Sequence, residues 1–309
     1  MNQKFYNSSM IPLNQALSYL ESRSDDFVPL SVVKTDMIPF FQADNSIKAV
    51  LFDIYGTLLI SEAGDIGLSA LDQGEDHLIQ IETTEGQKEI GYNKLKSMLF
   101  HRISYYHEMV KKKDVGIVYP EVDIITLWSD IFHLLGFRDY NIADLLKASI
   151  AFEIFSNKVW LMPGALSLIE FLRIRRMPLG IVSNAQFYTP LLFEFLSGLT
   201  LDRMGFQEKY ISWSYKKKCG KPDPLIFRDP LDELKRLGIK CHEILYVGND
   251  MLNDIATASA LGLKTALFAG DQRSLRMREQ DSRVIGVKAD YIITELGQLE
   301  VVLMGGVDD

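Results

Sequence analysis

The sequence of 309 residues has two cysteines, Cys219 and Cys241, and they lack the pairing typical of a metal site. Two cysteines in a chain of this length do not make a disulfide framework. We therefore expect a reducing, cytoplasmic setting. No run of about 18 apolar residues occurs, so no membrane-spanning helix is expected. The first residues include one early lysine but no continuous apolar stretch, and we therefore expect no secretory signal.

An excess of positive charge is also missing. Against 41 Asp and Glu the chain has 33 Lys and Arg, which gives a formal charge of −8. Binding to a nucleic-acid backbone needs clustered positive charge, so we expect no nucleic-acid partner. At about 150 residues per domain, the length allows one large domain or two smaller ones.

Short and nearly continuous apolar runs are the main structural feature of the sequence. They span residues 47–53, 177–184, 243–250, 263–270 and, more weakly, 289–294. Runs of this kind are typical of parallel strands that are buried on both faces. Helical patterns lie between them at 163–176, with Pro163 at the first helical position, at 229–240 and at 253–262. This alternation predicts an α/β fold with a doubly wound parallel sheet.

The strands stop between about 64 and 158. Residues 87–113, 121–136 and 141–155 carry apolar side chains at helical spacing, which predicts an all-helical insertion between the first and second strands. We therefore divide the chain into three parts: an N-terminal extension (1–46), an α/β core (47–63 and 159–309) and a helical cap (64–158). The extension is expected to be partly helical over 13–22.

Polar groups collect at the ends of the predicted strands. Ligands of open parallel sheets bind outside these carboxyl ends. A carboxylate nucleophile, a hydroxyl, a lysine and an acidic pair are what phosphoryl transfer through an aspartyl-phosphate requires. The candidate residues are Asp53, Gly56 and Thr57 after the first strand, Ser183 and Asn184 after the second, Lys221 beside two prolines, and Asn249, Asp250 and Asp254 after the third.

Four segments, FDIYGTL, IVSNA, CGKPDP and VGNDMLND, stand in this order along the chain. In order and spacing they resemble the four motifs of the haloacid dehalogenase-like hydrolase superfamily. The resemblance covers 47–62 and 160–295, and the insertion resembles the helical cap that one branch of the family carries between motifs one and two.

The resemblance implies a role for each candidate residue. Asp53 would be the nucleophile, and Lys221 and Mg²⁺ would offset its charge while it attacks a phosphoryl group. Gly56, Thr57, Ser183, Asn184, Lys221 and Asn249 would bind the phosphoryl group. Asp53, the backbone carbonyl of Tyr55, Asp250 and Asp254 would bind the metal, with Asn249 as an alternative neutral ligand. The expected substrate is a small phosphorylated metabolite.

Two positions depart from the family pattern. Asn249 stands where an aspartate is usual, and Tyr55 stands where the phosphatases carry the aspartate that protonates the leaving group. A phenol with a pKa of about 10 is a poor proton donor at neutral pH. Tyr55 would therefore suit a substrate with a good leaving group, or a reaction without a general acid, such as loss of halide from carbon.

The family's dehalogenases share the DxYGT pattern, so a 2-haloacid dehalogenase is an alternative function. Against it, like charges 4 Å apart repel by about 4 kcal/mol at an effective dielectric constant near 20, so a cation is expected beside Asp53, Asp250 and Asp254. A weakly active binding or regulatory protein is a third possibility.

Two further segments lack an assigned role. Arg273, Arg276 and Arg278 fall within 271–279, where we expect a solvated helix face or an anion-binding surface. The loop 116–123 in the cap is a place to look for specificity, because loops often carry function.

Overall fold

The computed structural model describes residues 10–63, 77–84, 86–113 and 117–304. Its strands are β1 (Ala49–Phe52), β2 (Leu59–Ser61), β3 (Leu78–Thr83), β4 (Gly86–Gly91), β5 (Val159–Leu161), β6 (Leu179–Ser183), β7 (Phe206–Trp213), β8 (Ile244–Gly248), β9 (Lys264–Phe268) and β10 (Tyr291–Ile293). Its helices are α1 (Met10–Ser22), α2 (Tyr92–Lys113), α3 (Ile124–Leu134), α4 (Ile142–Ser156), α5 (Ala165–Ile174), α6 (Tyr188–Ser197), α7 (Ser214–Lys217), α8 (Arg228–Arg236), α9 (Thr257–Ala260) and α10 (Gln298–Leu303).

Six strands form a parallel sheet in the order β10-β9-β8-β1-β6-β7. From β1 the chain moves outward through β6 and β7, and it then returns to the other side of β1 with β8, β9 and β10. The sheet therefore reverses its winding at β1 and β8, which pair from Ala49 with Ile244 to Phe52 with Val247. This reversal is the place where open α/β sheets usually bind ligands.

Both faces of the sheet are buried, as the continuous apolar runs require. Val50 and Phe52 pack into one hydrophobic cluster, and Leu51 between them packs into the other. All four residues of β1 are buried, and so are all five of β6 and of β8. The predicted doubly wound parallel sheet is confirmed, and each of the five predicted runs contains one of its strands.

The sequence pattern missed β7, which lies at one edge of the sheet. Its second to fourth residues, Gln207, Glu208 and Lys209, are exposed, so the segment has no continuous apolar run. Charged side chains are common on edge strands, where they discourage pairing with another chain.

The insertion between β1 and β6 is mainly helical, but the expectation that it is all helical is wrong. β3 and β4 form an antiparallel hairpin that pairs Ile79 with Ile90, and α2 begins only at Tyr92. In β3, buried Ile79 and Ile81 alternate with exposed neighbours, which is the period of two of a half-buried strand. Among the described residues, no helix is long and apolar enough to cross a membrane.

Strands β2 and β5 pair antiparallel where the chain leaves and rejoins the sheet domain. The division at 64 and 158 stays a prediction, and residue 64 lies outside the described residues. Helix α4 has two buried faces: Leu145 and Ala148 pack inside the cap, while Leu146 and Ile150 pack into the main core.

The N-terminal extension packs on both parts of the molecule. Helix α1, predicted at 13–22, lies against α4 of the insertion and α6 of the core, and its Ala16 and Leu20 are fully buried. Farther along, the Thr35 hydroxyl donates to the Ala269 carbonyl at 2.5 Å, and Phe40 forms a β-bridge with Ile292. The described part of the extension is therefore integral to the fold.

Two helix starts differ from their predictions. Pro163 lies before α5, which begins at Ala165 after Gly164 adopts a left-handed conformation with φ of 81°. The helix predicted at 253–262 is a π-helical turn, Met251–Ala256, followed by the short α9.

Candidate active site

Asp53 follows β1 at the point where the sheet reverses. Its backbone N–H donates to the Val247 carbonyl of β8 at 2.9 Å, which fixes the residue against the neighbouring strand. Its side chain is 11% exposed, and Oδ1 lies 2.7 Å from the Lys221 ammonium nitrogen. The described residues offer this carboxylate no other ion-pair partner. Asp53 is thus a nearly buried carboxylate with one oxygen held by a cation.

The turn after Asp53 requires glycine at position 56. Gly56 has φ of 79°, and a Cβ there would lie 2.6 Å from the Ser274 Cβ and 2.7 Å from the Asn249 amide nitrogen. Thr57 is fully buried, and its hydroxyl donates to Asn249 Oδ1 at 3.1 Å. The Asn249 amide in turn donates to the Ser274 carbonyl at 2.6 Å. Motifs one and four are therefore joined directly through Thr57 and Asn249.

Lys221 lies at the centre of the cluster, with 3% of its side chain exposed. Its ammonium nitrogen is 2.7 Å from Asp53 Oδ1, 2.6 Å from Asp254 Oδ1 and 3.0 Å from the Tyr246 hydroxyl. These three acceptors match the three protons of an ammonium group. Burial lowers the pKa of Lys221, but Asp254 and Asp53 outweigh it, so the pKa is raised and the cation is retained.

Asp254 is fixed from two sides. Oδ1 accepts from Lys221, while Oδ2 accepts the backbone N–H groups of Asn249 and Asp250 at 3.0 and 2.9 Å. Gly248 makes room for it, because a Cβ at that position would lie 2.4 Å from the carboxylate. Burial raises the pKa of Asp254, and the adjacent Lys221 opposes part of that rise.

Tyr246 is a residue of this cluster that the sequence reading missed. It is fully buried on β8, accepts from Lys221 and donates to the Val182 carbonyl at 2.7 Å. Burial, followed by Asp254 and Asp53, raises the pKa of Tyr246 well above its usual range, so the phenol stays neutral. Tyr246 lies within a continuous apolar run, and nothing in that sequence pattern indicates that its hydroxyl contacts a lysine.

Ser183 and Asn184 follow β6 but are used differently. The Asn184 side chain accepts from the Lys221 backbone N–H at 2.7 Å and donates to the Lys221 carbonyl at 3.1 Å. Asn184 therefore fixes the backbone of the loop that carries Lys221. Ser183 is fully buried, and its hydroxyl has no hydrogen-bond partner within the described part of the chain. A buried hydroxyl without a partner costs free energy unless a ligand satisfies it.

The Tyr55 phenol forms its hydrogen bond with α6 and not with Asp53. The hydroxyl lies 2.9 Å from the Thr189 hydroxyl of α6. Burial, with a smaller contribution from the Glu153 carboxylate, raises the pKa of Tyr55 well above its usual range. The group therefore stays protonated and is not poised to exchange a proton.

The chain is similar to known proteins. The family model of haloacid dehalogenase-like hydrolases matches residues 47–262, more than half of the chain. The chain belongs to this hydrolase family. This confirms the resemblance seen in the four motifs, and the matched segment begins directly after the N-terminal extension.

Two curated relatives are similar to parts of this hydrolase. A ribulose-1,5-bisphosphate 5-phosphatase from Halopiger xanaduensis is 29% identical over 147 residues, which is 47% of this chain and 57% of that protein. Haloacid dehalogenase-like hydrolase domain-containing protein 3 from Mus musculus is 29% identical over 177 residues, which is 56% of this chain and 65% of that protein. The chain thus spans less than two thirds of either relative.

A solved structure of a HAD phosphatase from Thermococcus onnurineus is similar over 84% of this chain and 99% of that chain. The identity is 23% and the TM-score is 0.47.

Two of the residues predicted to bind Mg²⁺, Asp254 and Asp250, already use their carboxylate oxygens within the chain. Those of Asp254 accept from Lys221 and from two backbone N–H groups. Those of Asp250 accept from the backbone of Leu252 and Asn253 and from the Arg278 guanidinium. Within the described ranges, no group of three acidic, histidine or cysteine side chains is arranged to hold a metal ion. Asp250 and Asp254 therefore do not fit the predicted role of metal ligands in this arrangement.

The segment 271–279 is neither a helix nor a solvated face. Arg276 forms a β-bridge with Asp250, which brings the segment alongside motif four. Arg273 pairs with Asp271, and Arg278 pairs with Asp250 at 2.6 Å. Arg278 therefore reaches motif four, and its partner Asp250 was not predicted from the sequence.

The loop 116–123, where specificity residues were predicted, contacts the core loop 218–221 that carries Lys221. Its first residue, 116, lies outside the described residues. The Tyr119 carbonyl accepts the Gly220 N–H at 3.0 Å, and the Glu121 N–H donates to the Lys218 carbonyl at 3.0 Å. Gln186, missed by the sequence reading, donates to the Val122 carbonyl at 2.8 Å. The insertion is therefore hydrogen-bonded to the loop that carries Lys221.

Proposed function

We propose that this hydrolase removes the phosphoryl group from a small phosphorylated metabolite through an aspartyl-phosphate on Asp53. One observation carries the proposal: a carboxylate held by Lys221 follows β1, and a buried Ser183 hydroxyl without a partner in the described residues ends the neighbouring strand β6. The name of the Halopiger xanaduensis relative, a sugar-bisphosphate phosphatase, supports a phosphate monoester as substrate.

In the proposed reaction the Asp53 carboxylate attacks phosphorus and the ester oxygen leaves with its electron pair. Water then attacks the aspartyl-phosphate, which releases inorganic phosphate and restores Asp53. Lys221 offsets negative charge during both steps, and Ser183 donates a hydrogen bond to a phosphoryl oxygen. The Thr57 hydroxyl donates to Asn249 and holds motifs one and four together. Asn184 keeps Lys221 in place through its backbone.

The leaving group needs a proton that Tyr55 is badly placed to give. Its phenol is neutral and hydrogen-bonded to Thr189. We therefore propose that the natural leaving group is stable as an anion, or takes its proton from water. Tyr55→Asp should raise turnover of alkyl phosphates more than that of aryl phosphates, and equal changes would contradict the leaving-group argument.

The test is hydrolysis of an aryl phosphate by wild type and by Asp53→Asn, with Asp44→Asn as a matched control. Asp44 is likewise paired with a lysine, Lys264 at 3.5 Å, but it lies beside β10, three strands away from β1 in the sheet. We expect the Asp53 variant to lose activity and the Asp44 variant to keep it. Hydrolysis that persists in Asp53→Asn would refute the mechanism. Parallel assays with Mg²⁺ and with a chelator test the predicted metal dependence.

A 2-haloacid dehalogenase reaction is the second candidate, and one observation favours it. Asp254 and Asp250, beside which the sequence analysis expected a metal cation, are paired instead with Lys221 and Arg278 of the chain itself. In that reaction Asp53 attacks carbon and halide leaves without a proton donor. Halide release from a 2-halo acid in the presence of a chelator would support it. Absence of both activities would favour a binding or regulatory protein.

A further inference from the structure

Asp250 uses both of its carboxylate oxygens within the chain. Oδ1 accepts the backbone N–H groups of Leu252 and Asn253 at 2.8 and 3.1 Å and so caps the π-helical turn after motif four. Oδ2 accepts from the Asn253 side chain at 3.1 Å and from Arg278 Nη2 at 2.6 Å. Arg278 Nε lies 3.1 Å from the same oxygen. A divalent cation would have to displace the guanidinium before it could bind this carboxylate.

Arg278 is held in position by its own segment. The Arg276 carbonyl accepts the Met251 N–H at 2.8 Å, and the Arg276 N–H donates to the Asn249 carbonyl at 3.0 Å. Arg278 itself has φ of 53°, a left-handed conformation that non-glycine residues seldom adopt. Its side chain is 34% exposed, whereas that of Asp250 is 8% exposed. The ion pair therefore belongs to the wall of the site and is not a loose surface contact.

The segment 271–279 is hydrogen-bonded to the N-terminal extension. Gln272 N–H donates to the Val33 carbonyl at 2.7 Å, and Arg273 donates to the Ser31 carbonyl at 2.6 Å. These contacts lie outside the residues that match the family model, which ends at 262. The placement of Arg278 thus depends on parts of this chain beyond the family's common core.

The charges of the site can now be compared. Three carboxylates, Asp53, Asp250 and Asp254, lie beside two cations, Lys221 and Arg278. Each acid of motif four therefore has a cation of the chain beside it, with Lys221 shared between Asp254 and Asp53, and the five groups together leave one net negative charge. The Arg278 guanidinium keeps its charge over the whole pH range in which proteins fold.

We propose that Arg278 is the resident counter-ion of Asp250 and keeps this carboxylate from binding a divalent cation. In wild type, any bound Mg²⁺ makes no use of Asp250. Replacement of Arg278 by a neutral residue frees the carboxylate and creates a divalent-cation site. This inference concerns binding of the metal alone and does not depend on the proposed substrate.

The test is isothermal titration of the full chain with Mg²⁺, together with electron paramagnetic resonance of Mn²⁺ binding. We expect Arg278→Gln to bind either cation at least about tenfold more tightly than wild type, the scale on which partners of metal ligands act. The double variant Arg278→Gln/Asp250→Asn should lose this gain. Arg173→Gln, which breaks a surface pair with Glu170, is the matched control and should bind like wild type.

Asp250→Asn in the wild-type background tests the inference without any change to Arg278. Because Asp250 is already occupied, we expect this variant to bind Mg²⁺ as wild type does. Weaker binding would show that the carboxylate ligates the metal and would overturn the proposal. Equal affinities of Arg278→Gln and wild type would overturn it as well. A lack of hydrolytic activity in any variant would not change these results.

Discussion

Replacement of Lys221 by methionine is the sharpest test of the buried cluster, because it keeps the size of the side chain and removes the charge. Asp53 Oδ1 and Asp254 Oδ1 lie 2.7 and 2.6 Å from the same nitrogen. They are therefore at most about 5.3 Å apart, and without the cation they repel by about 3 kcal/mol at an effective dielectric constant of about 20. Loss of one partner from a buried ion pair costs about 3–5 kcal/mol. We expect Lys221→Met to lower the free energy of unfolding by this amount at pH 8.

The loss should depend on pH with a definite sign. Burial already raises the pKa of Asp254, and Lys221 opposes part of that rise, so the variant should raise it further. A carboxyl with a raised pKa in the folded state binds a proton on folding, so stability increases as the pH falls through that pKa. At pH 5 we therefore expect the loss to be smaller by at least about 1.4 kcal/mol.

Urea denaturation at pH 5 and pH 8, followed by circular dichroism, measures both effects. Lys264→Met is the control, since Lys264 is 33% exposed and lies 3.5 Å from Asp44. We expect it to cost less than about 1 kcal/mol at either pH. A Lys221→Met loss that is the same at both pH values, or no larger than the control's, would refute the electrostatic reasoning.

Four further predictions concern single contacts. Ser183→Ala removes a buried hydroxyl without a partner, so the melting temperature should not fall. For a phosphate ester, kcat/KM should fall about tenfold or more, equivalent to a loss of about 1.5–3 kcal/mol in transition-state binding. Tyr246→Phe removes the hydrogen bond between the Tyr246 hydroxyl and the Lys221 ammonium group, so kcat for a phosphate ester should fall about tenfold. In the control, Tyr291→Phe, the lost hydrogen bond is to Asp44, and only stability should fall. Gly56→Ala should destabilise the fold by about 1–3 kcal/mol through backbone strain, measured by urea denaturation, and wild-type stability would contradict the steric argument. Leu20→Ala should cost about 2–5 kcal/mol in the same measurement, and a neutral result would mean that the N-terminal extension is not part of the core.

The sheet was predictable because its central strands are buried on both faces. Val50, Leu51 and Phe52 are all apolar for that reason, and the same holds for the strands beside them. Edge and hairpin strands lack this signal. Glu208 and Lys209 of β7 face solvent, and in β4 only Ile90 is buried. Neither segment therefore has the continuous apolar run from which the other strands of the six-stranded sheet were predicted.

The positions of the site residues were predictable from the motifs, but their partners were not. Asp53 and Lys221 lie together as expected. Asn184 was expected to bind phosphate, and its amide instead holds the backbone of Lys221. Asp250 and Asp254 were expected to share a metal ion, and they bind two different cations of the chain. A motif identifies a side chain and the end of a strand, whereas hydrogen-bond partners come from segments far away in sequence.

The sequence by itself determined the parallel sheet, the family and the strand ends where the reactive groups lie, because these follow from local apolar runs and from motifs at fixed spacing. Only the tertiary structure decided which charges neutralise one another. Lys221 and Asp254 are 33 residues apart, and Arg278 and Asp250 are 28 residues apart. Such pairs form when the strand order and the loop paths bring the charged groups within about 3 Å, because the attraction between two charges falls with their separation.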